Sequence, residues 1–269
     1  MNSFYNQLAS INQRLKSQDE KYLAQKPLRI FCGTFNLNGK MADEDLKSWL
    51  CINIGNKPID IYAIGFQELI DLNTKNLLIQ SDAYERELYW INVLDNIIMK
   101  DNKLKFKQLA KVRMFGLFLI IYANSALIEK DRIKDIYTSS IATGIMDIVG
   151  NKGSVGVSMK IYENRVCFVC SHFAADTDKV EKRNSDFRST KQKLRFNNDP
   201  NDLNSYYDLE NDHDAIFWFG DLNYRLDQIP LNETFRLIQA KEFNDLLKYD
   251  QLTNQRINFK VFENYSEGN

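Results

Sequence analysis

The sequence contains few of the residues that mark several protein classes. It has four cysteines and two histidines, too few for a dense disulfide framework or several zinc sites. Its longest apolar run, residues 114–123, is about half of the ~20 residues that a membrane-spanning helix needs. Residues 1–21 lack the apolar core of a signal peptide. These absences predict a soluble protein of a reducing compartment, the cytoplasm.

The cysteines are predicted to be buried, reduced thiols. Cys32 and Cys167 lie in apolar, strand-like runs, and Cys170 follows Cys167 at C-x-x-C spacing, while Cys51 stands apart. The chain offers no second C-x-x-C pair or histidine cluster to complete a zinc site.

Charge and composition are those of an ordinary globular protein. The hydrophobic share is 44%, the charged share is 26% and the formal net charge is −1. This balance gives no reason to expect nucleic acid as a partner. It leaves open the binding of a smaller polyanion through a local basic site.

Apolar periodicity predicts a central block of strands with helices on the outside. Residues 1–26 are predicted to be an N-terminal helical extension, with its helix over 5–24, before one domain that spans 27–269. Strands or extended segments are predicted over residues 28–37, 59–65, 104–122, 136–142, 153–161, 166–171 and 215–219. Helices are predicted over residues 43–50, 84–99, 176–195 and within 231–257, and a solvated loop over 197–214. This order favours an α/β sandwich of sheets with helices outside.

Two polar residues end the first predicted strands. Asn36 lies in Gly-Thr-Phe-Asn-Leu-Asn-Gly (residues 33–39), and Glu68 lies in Gly-Phe-Gln-Glu (65–68). Magnesium prefers carboxylate and carbonyl oxygens, so these residues are candidate ligands for Mg²⁺. Each motif also has a plain structural explanation, as a turn or as an exposed strand end.

Further motifs bring candidate anion-binding and catalytic groups. Asn151 and Lys152 lie between glycines, where the backbone can approach an anion, although a hairpin turn explains that motif equally well. His172 ends another predicted strand. The segment 218–225, Trp-Phe-Gly-Asp-Leu-Asn-Tyr-Arg, presents an acid, an amide and a guanidinium, which could activate a water and hold a phosphoryl group. These three groups are Asp221, Asn223 and Arg225.

Taken in order, the motifs resemble the inositol polyphosphate 5-phosphatases of the endonuclease–exonuclease–phosphatase superfamily. The resemblance covers roughly residues 28–265 and rests on the segments 33–39, 67–68, 144–146, 150–153, 171–175, 183–187 and 217–225. It implies a DNase I-like, four-layer α/β fold of two mixed, mostly antiparallel sheets with helices outside. It also implies Mg²⁺-assisted hydrolysis of the 5-phosphate of a phosphoinositide or inositol polyphosphate, with contact to a membrane surface and none to nucleic acid.

The resemblance also implies a role for each candidate residue. Asn36 and Glu68 would hold the metal, and His172 would contact the scissile phosphate or its leaving oxygen. Asp221 would position the attacking water, and Asn223 would bind the phosphate. The substrate-facing groups would be Asn151, Lys152 and Arg225. His213 has no implied catalytic role.

The family continues to a Trp-Cys-Asp-Arg-like motif and a Ser-Asp-His motif, neither of which occurs in these 269 residues. The resemblance therefore implies an incomplete catalytic domain without its last strands, with an exposed apolar strip in their place. Such a chain is expected to be nearly inactive alone.

Two other functions are open. One is a nuclease or sphingomyelinase of the same superfamily. The net charge of −1 argues against the nuclease, which would need a basic surface to bind nucleic acid. The other is a non-catalytic fragment that binds phosphoinositides or a protein partner. The sequence predicts no particular protein partner.

Overall fold

The computed structural model describes most of the chain. The described residues are 26–50, 58–70, 80–100, 104–143, 152–199, 201–202 and 204–267. The helix predicted over 5–24 and the predicted buried thiol of Cys51 lie outside them.

The described elements alternate between strands and short helices. The strands are β1 (Ile30–Asn36), β2 (Ile61–Gln67), β3 (Phe106–Met114), β4 (Leu117–Asn124), β5 (Ile133–Ala142), β6 (Gly153–Ile161), β7 (Asn164–His172), β8 (Arg195–Asn197), β9 (Tyr206–Asp208) and β10 (Ala215–Asp221). The helices are α1 (Gln80–Asp95), α2 (Ser125–Glu129), α3 (Val180–Lys193), α4 (Leu231–Ala240), α5 (Phe243–Leu246) and α6 (Gln251–Ile257). A π-helical turn, Asn96–Lys100, extends α1, and a 3₁₀ turn, Leu247–Tyr249, follows α5.

Two four-stranded sheets form the centre of the fold. The first has the order β1-β2-β4-β3 and the second has the order β10-β7-β6-β5. In each sheet one pair is parallel, β1 with β2 and β10 with β7, and the other pairs are antiparallel. The prediction of two mixed, mostly antiparallel sheets is confirmed.

Strand β2 shows how the layers stack. Because side chains alternate along a strand, Ile61 and Ala63 face the apolar core between the sheets. Tyr62 and Phe66 face the opposite way, into the core under α1, where the ring of Phe66 lies 4.9 Å from that of Trp90. Both faces of this strand are therefore buried, which explains its continuous apolar run.

The second sheet is covered in the same way. Cys167 and Val169 of β7 pack outward against Phe196 of the small β8–β9 sheet. Phe187 of α3 packs against the Trp218 ring of β10 at 5.1 Å. The result is a four-layer sandwich with apolar cores in each interface. No helix in the described part of the chain is long and apolar enough to cross a membrane.

Two local predictions were wrong. Residues 43–50 form no helix: residues 46–50 are consecutive turns, with a single helix-type bond from the Leu50 amide to the Leu46 carbonyl at 2.9 Å. Residues 197–214 contain strand β9, which pairs with β8. Phe196 and Leu209 are buried against the second sheet, so apolar burial orders a segment whose polar composition indicated a loop.

One side of the sandwich is open within the described residues. Strands β1 and β10 are the outer strands of their sheets on this side, and they border a cavity of about 410 Å³. Its apolar lining includes Cys32, Phe217, Trp218, Phe219, Phe262 and Tyr265. The exposed apolar strip that the resemblance implies stays a prediction. Cys32 is exposed here, so the prediction of a buried thiol was wrong for Cys32, whereas Cys167 and Cys170 are buried and free.

Candidate active site

The candidate residues lie where several strands meet at one end of the sandwich. Strand β1 ends at Asn36, opposite Gln67 at the end of β2. Strand β10 ends at Asp221, opposite His172 at the end of β7. Parallel pairing brings the ends of paired strands to the same edge, so the sheet topology itself gathers residues that are far apart in sequence.

The two sheets approach each other closely near this edge. A Cβ added at Gly65 of β2 would lie 2.3 Å from the Cys170 sulfur of β7. No side chain fits at that position, so glycine allows the end of β2 to reach the second sheet. Glu68 follows three residues later and is held close to the end of β10.

Two carboxylates share one amide group. The Asn36 Nδ2 donates to Glu68 Oε1 and to Asp221 Oδ2, each at 3.1 Å. The Asn36 Oδ1 accepts the backbone N–H of Asn38 at 3.0 Å, which fixes the orientation of the amide. The structure therefore brings together Asn36, Glu68 and Asp221, which the sequence places on different strands.

His172 lies beside these carboxylates and is almost fully buried. Its Nε2 is 3.5 Å from Asp221 Oδ2 and 3.8 Å from Glu68 Oε1. The same nitrogen contacts the Lys152 Nζ. Because a lysine ammonium has no acceptor, Nε2 accepts this bond and is unprotonated.

Burial also favours the neutral imidazole. The pKa of His172 is lowered from its ordinary 6.5 to about 4, first by burial and then by the Lys152 charge, against the opposing effect of Asp221. Burial lowers the pKa of the Lys152 ammonium as well, while the carboxylates of Asp221 and Glu68 act in the other direction. The centre thus combines a neutral imidazole, a partly buried amine and two carboxylates.

The backbone is left-handed at two of the candidate residues. Glu68 has a φ of 51° and Asn223 a φ of 58°. Asparagine tolerates this region well, whereas for a residue such as Glu it costs on the order of 1–3 kcal/mol. Such a conformation persists only where the surrounding structure maintains it, so the fold holds Glu68 in this position.

Asn223 and Arg225 follow Asp221 on the same loop. The Asn223 Nδ2 donates to the Phe173 carbonyl at 3.0 Å, and its Oδ1 accepts from the Arg225 guanidinium. Asn223 is thus buried with its amide engaged by protein groups, and its role in phosphate binding stays a prediction. Arg225 is exposed and lines a cavity of about 500 Å³ together with Asp221.

The remaining candidates divide into two groups. Lys152 lies within the site, as described above, but Asn151 is outside the described residues. His213 is partly buried elsewhere: its Nδ1–H donates to the Asp208 and Leu209 carbonyls, and its Nε2 accepts from Ser158 Oγ at 2.8 Å. These partners do not belong to the candidate site, so the surroundings of His213 indicate a structural role.

The histidines lead to a prediction about pH. Burial lowers the pKa of His213 below 6.5, as it does for His172, so the folded state binds fewer protons than the unfolded state in mild acid. Stability should be fully present above about pH 6.5 and fall as the pH decreases, by at most about 1.4 kcal/mol per pH unit for each histidine. Urea unfolding between pH 7 and pH 5 measures this slope. His213→Gln should make it shallower, and equal slopes would contradict the assignment.

Buried polar residues of α3 support the loop after His172. Asp186 accepts the Ala174 amide at 2.9 Å, and Lys182 joins Asp186 to the Thr143 carbonyl. No role was predicted from the sequence for Asp186 or for Arg183, a fully buried residue of the same helix. A signal was present, because both residues fall near Phe187 on the buried face of α3.

The oxygen donors fit a hydrated, hard cation. No group of three or more His, Cys, Asp and Glu side chains in the described part of the chain forms a metal cage. Magnesium commonly keeps several waters and binds through one or two carboxylates, which Glu68 and Asp221 can provide. The Asn36 amide presents its Nδ2 to these carboxylates in this structure, and its role as a metal ligand stays a prediction.

Comparison with known proteins identifies the fold and the family. The structure matches the inositol polyphosphate 5-phosphatase domain of SPsynaptojanin, solved with inositol (1,4)-bisphosphate and a calcium ion. The TM-score is 0.77 at 28% sequence identity, over 94% of this chain and 69% of that chain. The fold class is therefore that of a phosphatase-type, two-sheet sandwich. The chain belongs to the endonuclease/exonuclease/phosphatase family 2, whose family model matches residues 33–269.

Curated relatives of this chain are named as inositol phosphate or phosphoinositide 5-phosphatases. The chain is 32% identical to the type II inositol 1,4,5-trisphosphate 5-phosphatase of Mus musculus, over 96% of this chain and 25% of that protein. It is 32% identical to the phosphatidylinositol 4,5-bisphosphate 5-phosphatase INP51 of Saccharomyces cerevisiae, over 96% of this chain and 26% of that protein. The chain thus spans about a quarter of the length of these relatives, which are hydrolases.

Proposed function

We propose that this chain carries the catalytic centre of a Mg²⁺-dependent phosphatase that removes the 5-phosphate from an inositol ring. The substrate is a phosphoinositide headgroup or a soluble inositol polyphosphate, the two classes named for its relatives. We further propose that the protein acts in the cytoplasm and contacts the membrane surface when its substrate is a lipid.

One observation carries the proposal. Glu68 and Asp221, which are 153 positions apart in sequence, contact the same Asn36 amide, and His172 and Lys152 lie against them. An arrangement of oxygen donors for a cation beside a neutral imidazole and an amine is suited to a phosphate monoester and its attacking water.

Each side chain has a chemical part in this mechanism. Asp221 lines a cavity together with Arg225, and its carboxylate can accept a proton from the attacking water. Lys152 and Arg225 supply positive charge toward the phosphate, and His172 offers its ring nitrogen next to Lys152. When bound, magnesium supplies further neutralisation of the charge on the phosphoryl group.

Glu68→Gln tests the metal assignment. The substitution keeps the size of the side chain and removes its charge, so it should raise the Mg²⁺ concentration for half-maximal phosphate release by at least about tenfold. Phosphate release by the full-length natural protein is measured over a Mg²⁺ titration, with phosphatidylinositol 4,5-bisphosphate in vesicles and with soluble inositol 1,4,5-trisphosphate. Chelation of the metal should abolish release.

Glu163→Gln is the matched control, because Glu163 is 87% exposed in a turn and pairs with Lys160. It should leave the Mg²⁺ requirement unchanged. An unchanged requirement in Glu68→Gln would contradict the assignment.

Binding of both substrates without phosphate release would favour a non-catalytic binding protein, and cleavage of plasmid DNA or sphingomyelin in their place would favour the superfamily alternatives.

A further inference from the structure

Gln251, the first residue of α6, contacts the loops that follow strands β7 and β10. These are the β7 loop (residues 173–179), which follows His172, and the β10 loop (residues 222–226), which follows Asp221. Gln251 is only 4% exposed, although a glutamine side chain is usually found at the surface. A buried amide requires hydrogen-bond partners, and those of Gln251 lie in the two loops.

On one side, Gln251 holds the backbone of Arg225. Its Oε1 accepts the Arg225 N–H at 3.0 Å, and its own N–H donates to the Arg225 carbonyl at 3.0 Å. A β-bridge between Leu226 and Asp250 continues this pairing. Both backbone polar groups of Arg225 are therefore bound by one residue.

On the other side, Gln251 holds the β7 loop. Its Nε2 donates to the Thr177 carbonyl at 3.0 Å. Its Oε1 also accepts from Arg183 Nη2 at 2.6 Å. The guanidinium of Arg183 in turn donates to the carbonyls of residues 174–177, so the loop and the glutamine share one buried network.

The network reaches the solvent-facing part of the site through Arg225. Its guanidinium lines the cavity that contains Asp221, and its Nε donates to the Asn223 carbonyl at 3.2 Å. We infer that Gln251 is a positioning residue: it fixes the Arg225 backbone against the β7 loop and so sets where the guanidinium meets an anionic substrate. The link to substrate rests on the proposed function, but the link to Arg225 does not.

Hydrogen exchange tests the structural part on the 269-residue chain. In Gln251→Met, which has similar length and no amide, the backbone N–H of Arg225 should exchange at least about tenfold faster. Gln251→Glu keeps the acceptor for Arg225 and Arg183 and should retain most of the protection. Gln255→Met is the matched control, because Gln255 lies one turn later on α6 and accepts from Asn184 of α3. Unchanged exchange of the Arg225 amide in Gln251→Met would overturn the inference.

Affinity of the full-length natural protein for inositol 1,4,5-trisphosphate, measured calorimetrically without Mg²⁺ so that the substrate is not hydrolysed, tests the functional part. Gln251→Met should weaken binding about fivefold to tenfold, and Gln251→Glu should restore most of the affinity. In an Arg225→Ala background the same Gln251→Met change should alter the affinity less than about twofold, because the effects of substitutions at two coupled residues are not additive. A merely structural role would weaken binding equally in both backgrounds and would overturn the inference.

The two hypotheses fail in different ways. If the unaltered full-length natural protein does not bind inositol 1,4,5-trisphosphate, the proposed function loses its support. The exchange rate of the Arg225 amide still decides whether Gln251 positions Arg225. If the chain binds the substrate and Gln251→Met changes neither exchange nor affinity, the proposed function stands and the inference fails.

Discussion

Asp221→Ala is expected to lower the turnover of the full-length natural protein by about 10²–10⁴-fold. The Asp221 carboxylate contacts the same amide as Glu68 and lies 3.5 Å from the His172 ring, so it combines two proposed parts, cation binding and proton acceptance. Alanine removes both and leaves the strand intact. Steady-state phosphate release from inositol 1,4,5-trisphosphate measures the effect.

The two histidines provide the comparison for this result. His172→Ala should also lower turnover by orders of magnitude, because its ring lies against both carboxylates. His213→Ala should change turnover little, because its partners are Ser158 and two backbone carbonyls outside the site. A large loss from His213→Ala with a small loss from His172→Ala would contradict the assignment of the site.

Arg183→Met is expected to destabilise the fold by about 3 kcal/mol or more. Arg183 is fully buried and donates to four backbone carbonyls of the β7 loop and to Gln251. Methionine fills similar space but leaves these acceptors without their donor, and each buried unsatisfied group costs roughly 1–3 kcal/mol. Urea unfolding of the 269-residue chain measures the change.

Arg188→Met is the control on the same helix, because Arg188 is exposed. It should change the free energy of unfolding by no more than about 0.5 kcal/mol. Equal effects of the two substitutions would show that the buried network around Arg183 contributes no more than a surface charge. The stability of the β7 loop would then require another explanation.

Strand ends were the part of the site that the sequence could predict. Asn36, Glu68, His172 and Asp221 each follow an apolar run, and the structure places all four at one edge of the sandwich. The alternation of apolar and polar residues and the apolar runs are local sequence patterns, so strand ends can be predicted from them without knowledge of the tertiary fold. The pairing of strands from distant parts of the chain followed from the family resemblance and not from periodicity.

The orientation of polar side chains could not be predicted in the same way. Asn223 follows Asp221 on the predicted loop, yet its amide is engaged by Phe173 and Arg225. Nothing in the sequence indicated that Gln251 is buried, because a glutamine at the start of a helix is commonly exposed. Its importance depends on Arg183, which is 68 residues away in sequence. Such contacts are decided by how helices pack on the loops, which single-residue preferences do not encode.

Exposure at the open side of the sandwich also depends on tertiary context. Cys32 lies in an apolar run that predicts burial, but β1 is an outer strand of its sheet in the described part of the chain. Tertiary packing also explains why residues 46–50 form turns and not a helix. Leu46 and Leu50 pack into the core under α1, and this packing is satisfied by a single turn without a helix.

The product formed from inositol 1,4,5-trisphosphate tests the central claim most directly. The full-length natural protein is incubated with this substrate and Mg²⁺, and the products are identified by phosphorus NMR. The account predicts inositol 1,4-bisphosphate and one equivalent of inorganic phosphate, with both products lost in Asp221→Ala. Removal of the 1- or 4-phosphate instead, or the absence of phosphate release from folded protein that binds the substrate, would contradict it.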